Sequence, residues 1–405
     1  MKILIISQYY PPEIGAAASR WHDYANILVS RGHSVTVLCE LPNYPSGNFT
    51  AGYPKFWYHT ELSTNDRLQI IRVPVWANSR TTTIQRLGFF TSFMLSASLR
   101  AIFLPRHDLV IASSPPLFVG LIATFLRPFK RAKYVLDLRD IWPESARVLG
   151  EINSKSMLRF GRFLERMVYR SVDAFFLAVP GFKEYLDNQH QTHRSKPKKN
   201  LMNGVSEDYI KLIQQYSATP KSKTFRILFS GNVGLAQGLE TVLDAAHLLN
   251  EANVEFRIIG EGAKLEALVQ YSKSLQLANV SFIPSIPREE LVGEILSAHV
   301  CLVPLIKSAL FLNAIPSKTL EYMAAGRPVI VGIKGEIEKL LDDAQAGVSI
   351  EPQNAQELAA TILAYRNDPK RLSQEGIAGQ EFIQSQMTKE VLMDAALNNL
   401  FDESV

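Results

Sequence analysis

What most limits the fold of this chain is an alternation that runs, stops and starts again. In the first half, short apolar runs at 2–7, 34–38, 68–75, 108–113, 134–138 and 174–179 read as buried strands separated by helical or irregular stretches. In the second half the same pattern returns at 225–229, 254–259, 280–283, 300–304 and 329–331. Strands that alternate with helices argue for α/β architecture with doubly wound parallel sheets. Between the two series, residues 206–223 hold no long apolar run and end in Thr219-Pro220-Lys221-Ser222-Lys223, so an interdomain linker is expected there. The expected domains are 1–210 and 224–388, with closing helices over 355–366, 369–384 and 389–401.

Composition narrows the class. The chain has 405 residues, 47% hydrophobic and 20% charged, as in a globular protein with a substantial core. Cys39 and Cys301 fall in different halves, so no disulfide framework is expected, which fits a reducing compartment. Met1-Lys2 leads straight into Ile3-Leu4-Ile5-Ile6, which is too short for a secretory segment and reads as a core strand. Residues 1–210 hold 26 Lys+Arg against 16 Asp+Glu, whereas residues 211–405 hold 17 against 23. A basic first half implies an anionic partner, a membrane surface or a phosphorylated acceptor. Nucleic acid is not expected, because no zinc finger, RNA-binding sheet motif or recognition helix is present.

The first strand ends in Gln8-Tyr9-Tyr10-Pro11-Pro12-Glu13-Ile14-Gly15, and a helix follows to about Arg31. Gly15 is the only glycine in this loop, so a G-x-G-x-x-G dinucleotide site is not supported. At the end of the strand near 134–138, Asp137-Leu138-Arg139-Asp140-Ile141-Trp142-Pro143-Glu144-Ser145 crowds acids, an arginine and a tryptophan where ligands of parallel sheets bind. There Asp140 or Glu144 could take a proton from an acceptor hydroxyl and Arg139 could hold a phosphate. The bland alternative is an Arg–Asp pair that holds a turn. Three segments combine apolar and basic residues: 87–104, 117–126 with its basic trailer, and 155–170. Their lengths fall short of the roughly 20 residues of a membrane span. Half-buried core helices are the ordinary outcome, and interfacial helices with a basic fringe the sharper one. His190 and His193 lie in a polar loop, 190–200, without acidic or cysteine company.

One stretch concentrates the chemistry of the second half, Phe311 to Ile330. Pro316 suits a first helical turn, Leu320, Met323 and Ala324 fall at helical spacing, and Gly326 then Pro328 close the helix. Ser317, Lys318 and Glu321 share one face near the helix start. The free N–H groups and the positive dipole end attract an anion such as phosphate. Glycine-rich strand ends at Gly231–Gly238 and Gly260-Glu261-Gly262 repeat the pattern of a nucleotide site in an open α/β sheet.

These motifs, in order, resemble a family. P-P-x-x-G followed by R-G-H-x-V-x-V, then Asn203-Gly204-Val205, Gly231 to Gly238, Gly260-Glu261-Gly262 and Glu321-Tyr322-Met323-Ala324-Ala325-Gly326-Arg327-Pro328-Val329, are similar to those of retaining GT-B glycosyltransferases of family 4. D-x-R-D-I-W-P-E-S, the P-N-Y-P-S-G at 42–47 and the I-P-S-K before Glu321 resemble a subgroup that builds O-antigen and capsule, N-acetyl-L-fucosamine transferases included. The resemblance implies two Rossmann-like domains facing a central cleft, with the last helix, 389–405, crossing back to the first. It implies that Glu321 binds ribose hydroxyls, that backbone near Ile286 reads the base, and that Ile315, Pro316, Ser317 and Lys318 hold the diphosphate and sugar. The donor would be a nucleotide-diphosphate sugar, of UDP-N-acetylated deoxyhexosamine type, used as substrate with no cofactor or metal. The acceptor would be a polyprenyl-diphosphate-linked saccharide at the inner face of the plasma membrane, with the protein cytoplasmic and peripheral.

Three positions depart from the family pattern. Asn232 and Gln237 stand where an arginine and a lysine are usual, and Asn313 where the first Glu of E-x7-E is usual. Losing two charged hydrogen bonds, each worth roughly 1.5–3 kcal/mol, needs compensation, for which Lys318, Lys307 and Arg139 are the candidates. The departures also motivate a catalytically silent binding or scaffold subunit. A sugar-nucleotide 2-epimerase of the same architecture is a second rival.

Overall fold

A computed structural model of the chain describes residues 1–44, 46–54, 56–62, 66–148, 154–189, 195–216, 222 and 224–401. The chain divides into two compact units, residues 1–203 with 392 onwards, and residues 204–391.

The first unit runs β1 (Lys2–Ile6), α1 (Ala16–Ser30), β2 (Ser34–Glu40), β3 (His59–Leu62), β4 (Leu68–Val73), α2 (Thr83–Ile102), β5 (Leu109–Ser114), α3 (Leu117–Leu126), β6 (Lys133–Leu138), α4 (Glu144–Val148), α5 (Lys155–Ser171), β7 (Ala174–Leu177), α6 (Phe182–Gln189) and β8 (Lys198–Asn200). Its sheet has the order β3-β4-β2-β1-β5-β6-β7-β8. Among the described residues only β3 pairs antiparallel, with β4. The central strands β1 and β5 are buried along nearly their whole length, as strands covered on both faces should be. Chain order reverses between β1 and β5, so the crevice of this sheet lies beyond their carboxyl ends.

The second unit runs α7 (Glu207–Gln215), β9 (Phe225–Ser230), α8 (Glu240–Leu248), β10 (Val254–Ile259), α9 (Leu265–Ser274), β11 (Val280–Ile283), α10 (Arg288–Ser297), β12 (Val300–Pro304), α11 (Ser317–Ala324), β13 (Val329–Gly332), α12 (Glu336–Ala344), β14 (Gly347–Ser349), α13 (Ala355–Asn367) and α14 (Pro369–Gln386). All of its strands pair parallel, in the order β11-β10-β9-β12-β13-β14. The reversal here lies between β9 and β12. A final helix, α15 (Lys389–Leu397), belongs to both units, and its Asp394 takes a two-pronged ion pair from Arg31 at the end of α1.

Several expectations need correction. The stretch 206–223, expected to be a linker, contains α7. Ser206 caps it by accepting the Tyr209 N–H, and Tyr209 and Ile213, one turn apart, are buried. Only two of its nine residues are buried, and its apolar residues are broken up by charged and polar ones, so no run shows. Thr219, Pro220, Lys221 and Lys223 lie outside the described residues, as do Pro45 of the 42–47 motif, His190 and His193. The polar loop expected at 190–200 ends in β8, an edge strand of Lys198, Lys199 and Asn200 that carries no apolar signal. Pro316 is the N-cap of α11 rather than part of its first turn.

The three apolar-basic segments become α2, α3 and α5. Among the described residues no helix is long and apolar enough to cross a membrane. α2 buries Phe89, Phe93, Ala97 and Ala101 but turns Ile84, Leu95 and Leu99 to solvent. α3 is a core helix. α5 departs from the half-buried expectation: Gly161, Glu165, Val168 and Tyr169 face inward, while Phe160 and Phe163 are 61% and 57% exposed.

Candidate functional site

In the second unit the ends of β9 and β10 are pressed together. A methyl on Gly260 would fall 1.8 Å from the Gly231 carbonyl oxygen, and Gly260 has φ +143°, so no other residue fits there. The Val233 N–H donates to the Glu261 carbonyl, which ties the two loops. Tyr322, fully buried on α11, accepts the Ser230 N–H at 3.0 Å and lies 2.9 Å from the Ser230 hydroxyl, fixing the end of β9 against α11.

α11 starts without a side-chain cap; in its first turn the Thr319 N–H donates to the Pro316 carbonyl at 3.0 Å. It ends in a Schellman arrangement: Gly326 N–H donates to Met323 O and Arg327 N–H to Tyr322 O, with Gly326 at φ +66°. Leu320 and Met323 are buried, leaving Lys318 and Glu321 half-buried on the other face. The Lys318 ammonium lies 3.5 Å from the Ser230 hydroxyl, and its stem lies over bare backbone, so that a methyl on Gly231 would come within 2.8 Å of Lys318 Cε. Burial pushes the Lys318 pKa below the usual lysine range; Glu321 opposes that shift and Arg288 adds to it. A partly desolvated ammonium beside helix-end amides is an arrangement for an anion.

Arg288, the first residue of α10, reaches Glu321 at 3.5 Å and stacks over Tyr209, 4.5 Å from the ring centroid. Sequence reasoning missed both Arg288 and Tyr209. The available signal for Arg288 was its place two residues after Ile286, just past the largely exposed connection that follows β11.

The structure thus gathers Gly231, Lys318 and Glu321, with Ile315, Pro316 and Ser317 leading into the same helix end. It uses other expected residues differently. Gln237 accepts the Gly234 N–H and closes its own loop. Asn232 lies between Gly234 and Gly262, close enough to each that a methyl there would touch its amide. Lys307 is exposed and faces Glu351 at 3.9 Å. Asn313 and Glu261 have exposed side chains.

In the first unit Gly15 caps α1 with open space around it. The D-x-R-D segment divides its labour. Asp137, fully buried on β6, accepts from Arg20 Nη2 at 2.7 Å, Arg20 Nε at 3.2 Å, Trp21 Nε1 at 2.9 Å and Ser113 Oγ at 2.9 Å. Arg20 also donates to Asn203 and to the Leu201 carbonyl, so this pair locks α1, β6 and the end of the unit. Glu144 receives hydrogen bonds from Arg162 and Arg147; burial would raise its pKa, but these bonds outweigh it and hold the carboxyl below the usual range. Glu144 therefore staples α4 to α5 instead of standing free to take a proton.

Arg139 and Asp140 line a cavity of about 460 Å³ at the carboxyl ends of β5 and β6, with Tyr9, Pro115, Phe118 and Trp142 among its walls. Arg139 donates to the Pro115 carbonyl at 2.8 Å. Its Nε is buried, has no hydrogen-bond partner among the described residues, and lies 3.9 Å from Asp137. Beside this cavity Glu40 and Glu13 form a buried carboxyl pair: Glu40 accepts from Gln8 and Asn43 side chains, Glu13 from the Asn43 and Tyr44 amides. Burial, with Glu13 adding to it, pushes the Glu40 carboxyl well above the usual range. Among the described residues no three His, Cys, Asp or Glu side chains gather as metal ligands.

Comparison with known proteins agrees with this division. Residues 15–196 match the family described as "Glycosyl transferase 4-like domain" and residues 213–382 that described as "Glycosyl transferases group 1". A curated relative, the putative colanic acid biosynthesis glycosyl transferase WcaI of Escherichia coli (strain K12), is 23% identical over 99% of this chain and 100% of its own length. Among solved structures, sucrose-phosphate synthase from Thermosynechococcus elongatus superposes with TM-score 0.68 at 18% identity, covering 97% of this chain and 96% of that one. Anabaena HepE in complex with UDP superposes with TM-score 0.66 at 14% identity, covering 97% and 98%.

Proposed function

We propose that this chain, a group 1 glycosyltransferase with a GT4-like N-terminal half and the GT-B fold, transfers a sugar from a nucleotide-diphosphate sugar to a lipid-linked saccharide in surface polysaccharide synthesis. The observation that carries the reading is the Lys318 ammonium at the uncapped start of α11, beside bare backbone at Gly231 and one turn from Glu321. The diphosphate rests against the α11 amides and Lys318, which stands in for the charges missing at Asn232 and Gln237. Glu321 takes the ribose hydroxyls, displacing or sharing the Arg288 guanidinium. As the glycosidic bond breaks, charge grows on the leaving phosphate, and preorganised amides with a desolvated cation stabilise that charge more than they stabilise the ground state.

Uridine is the base we assign, in keeping with UDP bound to HepE, and an N-acetylated deoxyhexosamine the sugar. The acceptor is a polyprenyl-diphosphate-linked saccharide, in keeping with the polysaccharide named for WcaI. Asp140 faces the acceptor hydroxyl, anomeric configuration is retained, and no metal takes part. Attachment at the inner membrane face is supported by α5, where Phe160, Phe163 and Met167 stand exposed among Arg159, Arg162, Arg166 and Arg170. Leaving a large apolar side chain in water forgoes about 1.5–3 kcal/mol, which a bilayer interface would recover.

The test is titration with a panel of UDP- and GDP-sugars, followed by incubation with a lipid-linked acceptor and NMR of the product. Binding of one donor with transfer and retention supports the proposal. Absence of binding across the panel makes the chain a silent homologue, and a changed free sugar nucleotide without acceptor makes it an epimerase.

A further inference from the structure

The cavity beside Arg139 is built for more than a sugar. Its walls include Leu87 and Phe90 of α2, Leu117 and Phe118 of α3, Trp142 and Met157, while Arg86 and Arg139 supply two guanidinium groups and Asp140 one carboxylate. Its volume, about 460 Å³, lies within the range of small-ligand sites, and such sites pair an apolar body with a few placed polar groups. Saccharides need hydrogen-bonding walls, and these walls are largely hydrocarbon. Arg86 is anchored through Nε to the Arg80 carbonyl, and Arg139 through Nη2 to the Pro115 carbonyl. Both guanidiniums thereby line the apolar slot, Arg86 exposed and Arg139 largely buried.

One wall residue of the cavity, Met157, also begins a surface feature. Met157 lies in the first turn of α5, and Phe160, Phe163 and Met167 follow it at helical spacing, all exposed at Phe160 and beyond. The ten helical steps from Met157 to Met167 span roughly 15 Å at the α-helical rise. Arg159, Arg162, Arg166 and Arg170 flank the stripe. An apolar track with basic borders thus leads away from an apolar slot with two cations.

We propose that this cavity binds the diphosphate-proximal isoprene units of the lipid acceptor, with Arg86 and Arg139 on the diphosphate and the chain leaving along the α5 stripe. The proposal rests on the transferase reading and names where its acceptor is held. A prenyl diphosphate is the committed occupant, because it alone joins a single branched hydrocarbon chain to two adjacent phosphates. Asp140 then lies on the saccharide side of the diphosphate.

The experiment is calorimetric titration of the full chain with farnesyl diphosphate, inorganic diphosphate and dihexanoyl phosphatidic acid, below their aggregation concentrations. Farnesyl diphosphate should bind at least about tenfold more tightly than either other probe, with a negative heat-capacity change from apolar burial. Leu87→Asp and Met157→Asp replace partly exposed wall residues and should each weaken farnesyl diphosphate at least about tenfold while leaving UDP-sugar binding at the parent level. Equal affinity for farnesyl and inorganic diphosphate, phosphatidic acid binding as tightly, or both variants keeping parental affinity would overturn the proposal. Donor binding on the same samples separates this failure from failure of the transferase reading, because the donor is held in the other unit.

Discussion

Two carboxylates of the one D-x-R-D segment carry opposite burdens. Asp137 is a buried acceptor of four hydrogen bonds, so Asp137→Ala leaves Arg20 as an uncompensated buried cation and should cost about 3–5 kcal/mol in denaturant melts. Asp140 is half-exposed, and Asp140→Ala should lower transfer with little change in the melting temperature. The reverse ranking would exchange their roles. Glu40 offers a pH-dependent readout. Its folded pKa lies above its unfolded value, so its neutral form supports the fold below the unfolded value, near 4.3, and that support is lost as pH rises through the folded value. Glu40→Gln should therefore gain stability relative to the parent between pH 5 and pH 8; a constant difference in melting temperature across that range would mean that Glu40 does not titrate there. At the proposed donor site, Lys318→Ala should harm transfer more than Asn232→Ala, since Lys318, unlike Asn232, brings a cation to the start of α11. The sequence showed that two cations were missing from the loop, but not that Gln237 had been put to use closing it. That substitution trades a charge for a backbone hydrogen bond, which spacing cannot reveal.

Elements were legible to the extent that their burial was two-sided. Strands β1, β5, β9, β10 and β12 are apolar runs because helices cover both faces, and their positions follow directly from the chain. β3 and β8 are edge strands with polar residues, so nothing in a hydrophobicity pattern marks them. α7 hid for a related reason, presenting only Tyr209 and Ile213 to the core. α5 erred in the other direction: its apolar residues are present in the sequence, but which of them face inward depends on the helix's rotation, with Val168 against Gly120 of α3 and Gly161 against Trp142 and Pro143. From this follows a prediction for the element as a whole. Phe160→Ser with Phe163→Ser removes exposed apolar area only, so it should leave the melting temperature within a degree or two while reducing sedimentation with anionic vesicles several-fold. Undiminished vesicle binding would remove α5 from any membrane contact.

Across the whole molecule, charge and family resemblance divide at nearly the same place. The basic residues concentrate in 1–210 and the acidic excess in 211–405, while the GT4-like match ends at 196 and the group 1 match begins at 213. The structural division falls at 203/204, with α15 shared, so the chain passes between units twice. That boundary was hard to place from sequence because a helix rather than a flexible segment follows it. The account as a whole turns on where the donor's diphosphate lies, and crystals soaked with UDP-sugars test this most directly. The phosphates should appear within hydrogen-bond reach of the amides of Ile315, Ser317 and Lys318 and of Lys318 Nζ, with the ribose on Glu321, and Glu321→Ala should lose at least about tenfold in donor affinity, about 1.4 kcal/mol. Phosphates bound away from the start of α11, with Glu321 untouched, would contradict it.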